Sequence, residues 1–359
     1  MAKIPLVALL KAMVDQNASD LHITTGSPPQ FRIEGRMVKV KMEALAAQDT
    51  KELCYGVLSD AQKVEFERDL ELDFSFGVKD VARFRGNIFI QRGSVGGVFR
   101  RIPIQIPTMD QLGLPPVLRD VIKKPNGLVL VTGPTGSGKT TTLAAMLDAL
   151  NAQESGHIMT VEDPIEFIHP HKMCVVNQRE VGSDTRGFKD ALRRILRQDP
   201  DYILVGELRD IETIEMALTM AETGHLVFGT LHTNSAVQTM YRMVNVFPAH
   251  QQPQVRQLLA FVLQAVVSQQ LIPKSNNQPG RAMAMEILLP NSAIRNQIRE
   301  DKMHQIYASM QSGQNDSGMM TMNQSLAKLV SVGAISKHDA VEISPQADEL
   351  AKMLGMAKV

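Results

Sequence analysis

Gly133, Gly138, Lys139 and Thr140 fall at the spacing G-x-x-x-x-G-K-[ST] inside residues 128–145, LVLVTGPTGSGKTTTLAA. Phosphate oxygens need many hydrogen-bond donors close together. Glycines let backbone N–H groups crowd a β-phosphate, and a helix starting at the loop directs its positive end at the same charge. The loop residues Gly133, Pro134, Thr135, Gly136, Ser137, Gly138, Lys139, Thr140 and Thr141 are therefore the candidate cradle for ATP. Lys139 suits the β- and γ-phosphates, and the Thr140 hydroxyl suits Mg²⁺. Thr141 and Thr142 read as first-turn helix residues without a metal contact. A chance match is the competing reading, and the apolar run 128–131 before the loop and the helix-forming run 143–150 after it argue against it.

Hydrolysis would also need one carboxylate to hold Mg²⁺ or its water shell and another to polarise the attacking water. The apolar run HIMTV at 157–161 leads into Glu162, and YILVG at 202–206 leads into Glu207; these two acids are the candidates. LVFGT at 226–230 is bracketed by His225 and His232. Neither histidine has metal-ligand spacing. A polar contact to the γ-phosphate, or to a neighbouring strand end, suits them better.

The elements that must position these groups alternate. Apolar runs at 128–131, 157–161, 202–206 and 226–230 read as strands, and 188–198 and 209–222 as helices, which calls for a parallel sheet covered on both faces. Ligands then sit at the carboxyl ends of the strands. The helix at 188–198 is expected to bury Phe188, Ala191, Leu192, Ile195 and Leu196, leaving Arg193, Arg194 and Arg197 outward. Those arginines lack acidic i,i+4 partners, so a phosphate, a neighbouring subunit's carboxylates or plain solvent could each face them. Residues 1–99 read as a small α+β domain in which Arg83, Arg85 and Asn87 share one strand face and Ala82, Phe84, Gly86 and Ile88 the other. Residues 100–116, rich in proline, read as a linker, 117–275 as the nucleotide-binding core and 276–359 as a helical region. Val255, Leu258, Leu259, Val262 and Val266 are expected to form one core-facing helical stripe.

Composition sets limits. Lys+Arg and Asp+Glu are equal at 38 each, there is no Trp, and only 4 Tyr are present, which disfavours a nucleic-acid translocase with a basic, aromatic channel. Two cysteines are too few for a disulfide framework. No apolar stretch approaches the roughly 20 residues of a membrane span, so no direct span is expected.

VTGPTGSGKTTT, TVEDPIEF, RQDPDYILVGELRD and TGHLVFGTLHTNSA, in this order, resemble the Walker A, Asp box, Walker B and His box of the secretion-type hexameric ATPases of type IV pilus and type II secretion machines. ASDLHITTGSPPQFRIEG resembles their N-terminal PAS-like domain. The resemblance implies an α/β fold, with a RecA-like P-loop parallel-sheet domain preceded by a smaller α+β PAS-like domain and followed by a helical bundle. It implies Glu162 as general base, Glu207 as the Walker B carboxylate at Mg²⁺, and His232 as an intersubunit or γ-phosphate contact supported by His225. Arg85 and Arg100 match arginines that the N-terminal domain brings to the nucleotide, and Arg193 and Arg197 match a basic pair before Walker B. The implied setting is a homo-hexamer in the cytoplasm at the inner membrane, working on a pilus platform protein. No Cys follows Cys174, where extension and secretion members carry a four-cysteine zinc module, so the resemblance points to the retraction branch. Residues 293–298, AIRNQI, resemble that branch's AIRNLI signature with Gln297 in place of Leu. An accessory retraction ATPase is the alternative, and such a protein is also a possible partner.

Overall fold

The computed structural model describes residues 4–33, 35–79, 81–102, 105–275, 280–312 and 318–356. The chain divides into two compact units, Met1–Gln105 and Ile106–Val359.

In the first unit, α1 (Leu6–Asp15), α2 (Ala47–Tyr55) and α3 (Asp60–Asp69) accompany β1 (Asp20–Ile23), β2 (Gln30–Ile33), β3 (Arg36–Lys39), β4 (Glu71–Val78), β5 (Ala82–Gln91) and β6 (Ser94–Ile102). The strands form one sheet in the order β3-β2-β1-β6-β5-β4 with every pairing antiparallel. Alternation along β5 buries Ala82, Phe84, Gly86 and Ile88 and turns Arg85 to solvent. Phe84, Ile88 and Phe99 of the sheet pack with Leu6, Leu9, Leu10 and Met13 of α1. β6 runs through Ile102, past the expected boundary at 99, so Arg100 lies within this sheet and not in a linker.

The second unit holds α4 (Val117–Val121), β7 (Gly127–Thr132), α5 (Lys139–Gln153), β8 (His157–Glu162), β9 (Val175–Glu180), α6 (Phe188–Ile195), β10 (Tyr202–Val205), α7 (Ile211–Glu222), β11 (Leu226–Leu231), α8 (Ala236–Asn245), α9 (Gln252–Val262), β12 (Leu263–Pro273) and β13 (Arg281–Leu288). Beyond them lie α10 (Ser292–Arg299), α11 (Ile306–Ser312), α12 (Met322–Ser331), α13 (Lys337–Ile343) and α14 (Ala347–Met353). Seven strands form one sheet, β13-β12-β7-β11-β10-β8-β9, parallel except for β13. All six residues of β7 and of β11 are buried, as strands covered on both faces require. Leu143, Met146, Leu147 and Leu150 of α5 cover one face against Val129, Val131 and Phe228. Ile214, Ala217 and Leu218 of α7 cover the other against Leu128, Leu130 and Val227.

Three expectations are corrected here. The stripe 255–266 is not one helix, because α9 ends at Val262 and Val266 lies on β12, where Val266 and Val267 pair with Leu130 and Val131 of β7. The expected helical region from 276 begins with a strand, β13, whose pairing with β12 runs from Val266↔Leu288 to Pro273↔Arg281. Leu196, expected in the core, lies just past the end of α6 and is exposed. Residues 313–317 of the polar loop before α12, and 103–104 of the expected linker, lie outside the described residues.

α9 passes into β12 without a loop, and Arg295 of α10 stitches the junction. Its guanidinium donates to the carbonyls of Ala260, Phe261 (3.0 Å) and Leu263 (2.8 Å), which satisfies helix-end acceptors that have no intrahelical donor. Ile294 and Ile298 of α10 are fully buried. Gln297 beside them exchanges hydrogen bonds with Ser309 of α11, at 2.9 and 3.2 Å, so a polar residue at that position is accommodated by a polar partner.

Candidate functional site

Because β7, β8, β10 and β11 are parallel and in register, the residues that follow them meet at the carboxyl ends of the strands. A cleft of about 450 Å³ opens there, lined by Thr135, Gly136, Gly138, Lys139, Thr140 and Thr141 of the loop and α5, together with Glu162, Glu166, Glu207, Arg209 and His232. Phe188 of α6, Leu271 of β12 and Arg281 of β13 complete its wall.

The loop between β7 and α5 is held in a form that needs its glycines. Gly133 has φ of 142°, and a Cβ there would lie 2.3 Å from the Gln269 carbonyl oxygen of β12. Gln269 is fully buried; its amide donates to the Ser137 carbonyl at 2.6 Å, while Arg281 donates to the Gly136 carbonyl at 3.2 Å. The loop is thus braced from outside by β12 and β13. Lys139 donates to the carbonyls of Gly133 (2.9 Å) and Pro134 (3.1 Å). Burial lowers its pKa, against the pull of Glu207 and Glu166.

Glu162 ends β8 and is 6% exposed. Burial drives its pKa up to about 7; hydrogen bonds from Thr160 and Gln178 oppose that rise, and Glu166 and Glu180 add to it. Glu207 has the reverse balance. Burial raises its pKa, but the Arg209 hydrogen bond and charge, with His232, outweigh burial and hold it below the usual carboxylate value. Arg209 lies 2.7 Å from one Glu207 oxygen and His232 Nε2 3.2 Å from the other. Two acids near one phosphate cradle are therefore tuned apart, one toward proton exchange near neutrality and one toward permanent charge.

The donor set fits a hard divalent cation. The Thr140 hydroxyl and the Glu207 carboxylate are both oxygen ligands on the cleft wall, and Glu207 stays ionised at neutral pH. The buried Ser137 hydroxyl, with no hydrogen-bond partner among the described residues, adds an unsatisfied polar atom under the loop.

Three of the expected residues of the second unit that lie outside the phosphate loop are not brought to this cleft. His225 precedes β11 while His232 follows it, so the length of a strand, roughly 20 Å, separates them. His225 lies at the opposite end of the strands, where its Nδ1 contacts the Met220 carbonyl at 3.0 Å, and it does not line the nucleotide cleft of its own chain. Arg193 and Arg197 are exposed on and just after α6; the helix contributes Phe188 to the cleft wall instead. In the first unit, Arg85 and Arg100 are direct cross-strand partners on β5 and β6. Arg100 is anchored by Asp20 at 2.8 Å, and Arg85 approaches Asp73 at 3.8 Å.

Sequence reading missed Gln178, Gln269 and Arg281, all on strands it did not recognise. It also missed Thr160, although a residue two before Glu162 on a strand must share its face.

Residues 103–342 match the family described as Type II/IV secretion system protein. The chain is 52% identical over 337 residues to the type IV pilus retraction ATPase PilT of Pseudomonas aeruginosa, covering 94% of this chain and 97% of that protein. It is 40% identical over 346 residues to the type IV pilus ATPase PilU of the same organism, covering 96% and 90%. A crystal structure of the pilus retraction motor PilT with bound ADP superposes with a TM-score of 0.92 at 50% identity, covering 97% of this chain and 99% of that one.

Proposed function

We propose, from the premise that this chain belongs to the family of Type II/IV secretion system proteins, that it is an ATP-hydrolysing motor of pilus retraction. The observation that carries this reading is the meeting of Lys139, Glu162 and Glu207 in one cleft, on a chain 52% identical to a retraction ATPase.

The residues divide the work. The braced loop and the amino end of α5 receive the phosphates, and Lys139 exchanges its two carbonyl acceptors for phosphate oxygens. Glu162 takes a proton from water as the water oxygen bonds the γ-phosphorus. The bond from phosphorus to the bridging oxygen breaks, and that oxygen leaves on ADP. Thr140 and Glu207 would hold Mg²⁺, which when bound neutralises phosphate charge. His232, paired with Glu207, is positioned to register the γ-phosphate. Arg85 and Arg100 of the first unit are the arginines proposed to reach the nucleotide during turnover. Six copies in a ring would act on an inner-membrane platform protein from the cytoplasm. Among the described residues no helix is long and apolar enough to cross a membrane.

The reading is tested by ATP turnover with and without Mg²⁺ in the parent and in Lys139→Ala, together with expression in a piliated bacterium lacking its own retraction motor. Turnover that needs both Lys139 and the metal, with restored twitching, supports a primary motor. Turnover without restored twitching, unless a primary motor is also supplied, moves it to the accessory role suggested by the PilU likeness.

A further inference from the structure

Both hydrogen-bond donors that reach Glu162 converge on one of its oxygens. Thr160 Oγ1 donates to Oε1 at 2.6 Å and Gln178 Nε2 donates to the same Oε1 at 3.1 Å. Among the described residues Oε2 accepts no hydrogen bond, although the side chain lines the cleft.

Gln178 cannot turn its amide around. Its Oε1 accepts from the His169 backbone N–H at 2.8 Å, and its Nε2 also donates to the Phe167 carbonyl at 2.9 Å. The backbone donor and acceptor fix which end is oxygen and which is nitrogen. The NH₂ group therefore faces Glu162. Through these contacts β9 ties down the segment Phe167–His169 and the carboxylate that precedes it by a few residues.

We propose that Gln178, together with Thr160, is a positioning residue that clamps Glu162 by Oε1 and so makes Oε2 the oxygen that takes the proton from the attacking water. This rests on the reading of Glu162 as the general base. A carboxylate clamped at one oxygen loses its rotational freedom and offers one basic lone-pair direction to the cleft, which is the orientation requirement for proton transfer. The charged groups around it are Glu166 from the loop after β8, Glu180 from β9, and Lys139 and Glu207 across the cleft. Removing a neutral donor from Oε1 leaves these charges in place and withdraws support from the ionised form, so the acid limb of the rate profile must move to higher pH.

The experiment uses the full-length protein with ATP and Mg²⁺. Gln178→Leu, Gln178→Asn, Thr160→Val, Thr160→Ser and Glu162→Gln are compared with the parent for kcat and KM from about pH 5 to about pH 9, and for equilibrium binding of a fluorescent ADP analogue. Gln178→Leu, Gln178→Asn and Thr160→Val should each lose about 10- to 100-fold in kcat while ADP affinity stays within about twofold, with the acid limb displaced upward. Thr160→Ser, which keeps the hydroxyl, should stay near the parent. Parental kcat and an unmoved acid limb in the Gln178 variants would overturn the proposal, as would losses of kcat matched by equal losses of ADP affinity. Glu162→Gln separates the two levels. If it still turns over, the base reading fails and the clamp with it; if it is inactive while the Gln178 variants behave as the parent, only the clamp fails.

Discussion

Arg85 and Arg100 stand directly opposite one another on β5 and β6, two cations side by side on one sheet. Like charges in that position repel. The row continues to Asp20 of β1, the direct partner of Arg100, and from Asp20 to Arg32 of β2. One buried carboxylate thus serves two of the arginines, Arg100 at 2.8 Å and Arg32 at 3.9 Å, and among the described residues Arg85 has only the looser approach of Asp73. An anion arriving at this row would find the Arg85 charge incompletely balanced.

Arg85→Ala separates stability from the proposed role of this arginine at the nucleotide. Removing one of two repelling, solvent-facing cations should change the folding free energy by no more than about 0.5 kcal/mol, and the thermal midpoint should hardly move. If Arg85 is brought to the nucleotide, kcat should fall by at least about tenfold. Parallel melting and ATPase assays check both halves.

Asp20→Ala acts in the opposite sense. Asp20 is 3% exposed and accepts hydrogen bonds from Arg100 and Ser19. Its loss leaves Arg32 and Arg100 without their shared counter-charge and should destabilise the protein by about 2–3 kcal/mol, read as a lower denaturant midpoint. Asp20→Asn, which keeps an acceptor without the charge, should fall between.

Glu162→Gln should stabilise the protein in a pH-dependent way. The carboxyl titrates near its ordinary value of 4.5 when unfolded and is pushed up to about 7 when folded. Below the lower value both states are protonated and no penalty exists. As pH rises between the two, the unfolded state ionises first and gains, so the parent loses stability up to about pH 7 and the full penalty, on the order of 3 kcal/mol, persists above it. Melting curves of parent and variant should coincide near pH 4 and separate at pH 8, with the variant more stable. Catalysis runs the other way: parental activity should rise as Glu162 ionises through about pH 7.

Gly133→Ala tests the brace on the phosphate loop. A methyl group there meets the Gln269 carbonyl oxygen at 2.3 Å in a backbone conformation that side chains rarely adopt, so either β12 or the loop must shift. A loss of about 2 kcal/mol or more in stability, together with weaker ADP binding by titration, is expected.

The legible part of this protein was the part written in short-range signals. Glycine spacing marked the loop, and apolar runs ending in Glu162, Glu207 and His232 marked the strand ends, because a parallel core strand must be apolar until it reaches its functional edge. β12 was illegible because its apolar residues continue the helical stripe of α9, and a short apolar run does not distinguish helix from strand. β9 has a mostly exposed or half-buried pattern at the edge of the sheet and carries no strong alternation, which hid Gln178 with it. His225 and His232 bracket β11, and seven positions along a strand carry the chain across the sheet, so His232 reaches the cleft of its own chain and His225 does not.

The loopless passage from α9 into β12 has a mechanical meaning. A flexible connection stretches before it transmits, so part of any push on one side is lost as slack. Here the AIRNQI segment of α10 grips the junction through Arg295, the next residues are already sheet, and that strand holds the phosphate loop through Gln269. A load applied at α10 would reach the nucleotide cradle through a hydrogen-bonded helix and strand with no connecting loop between them.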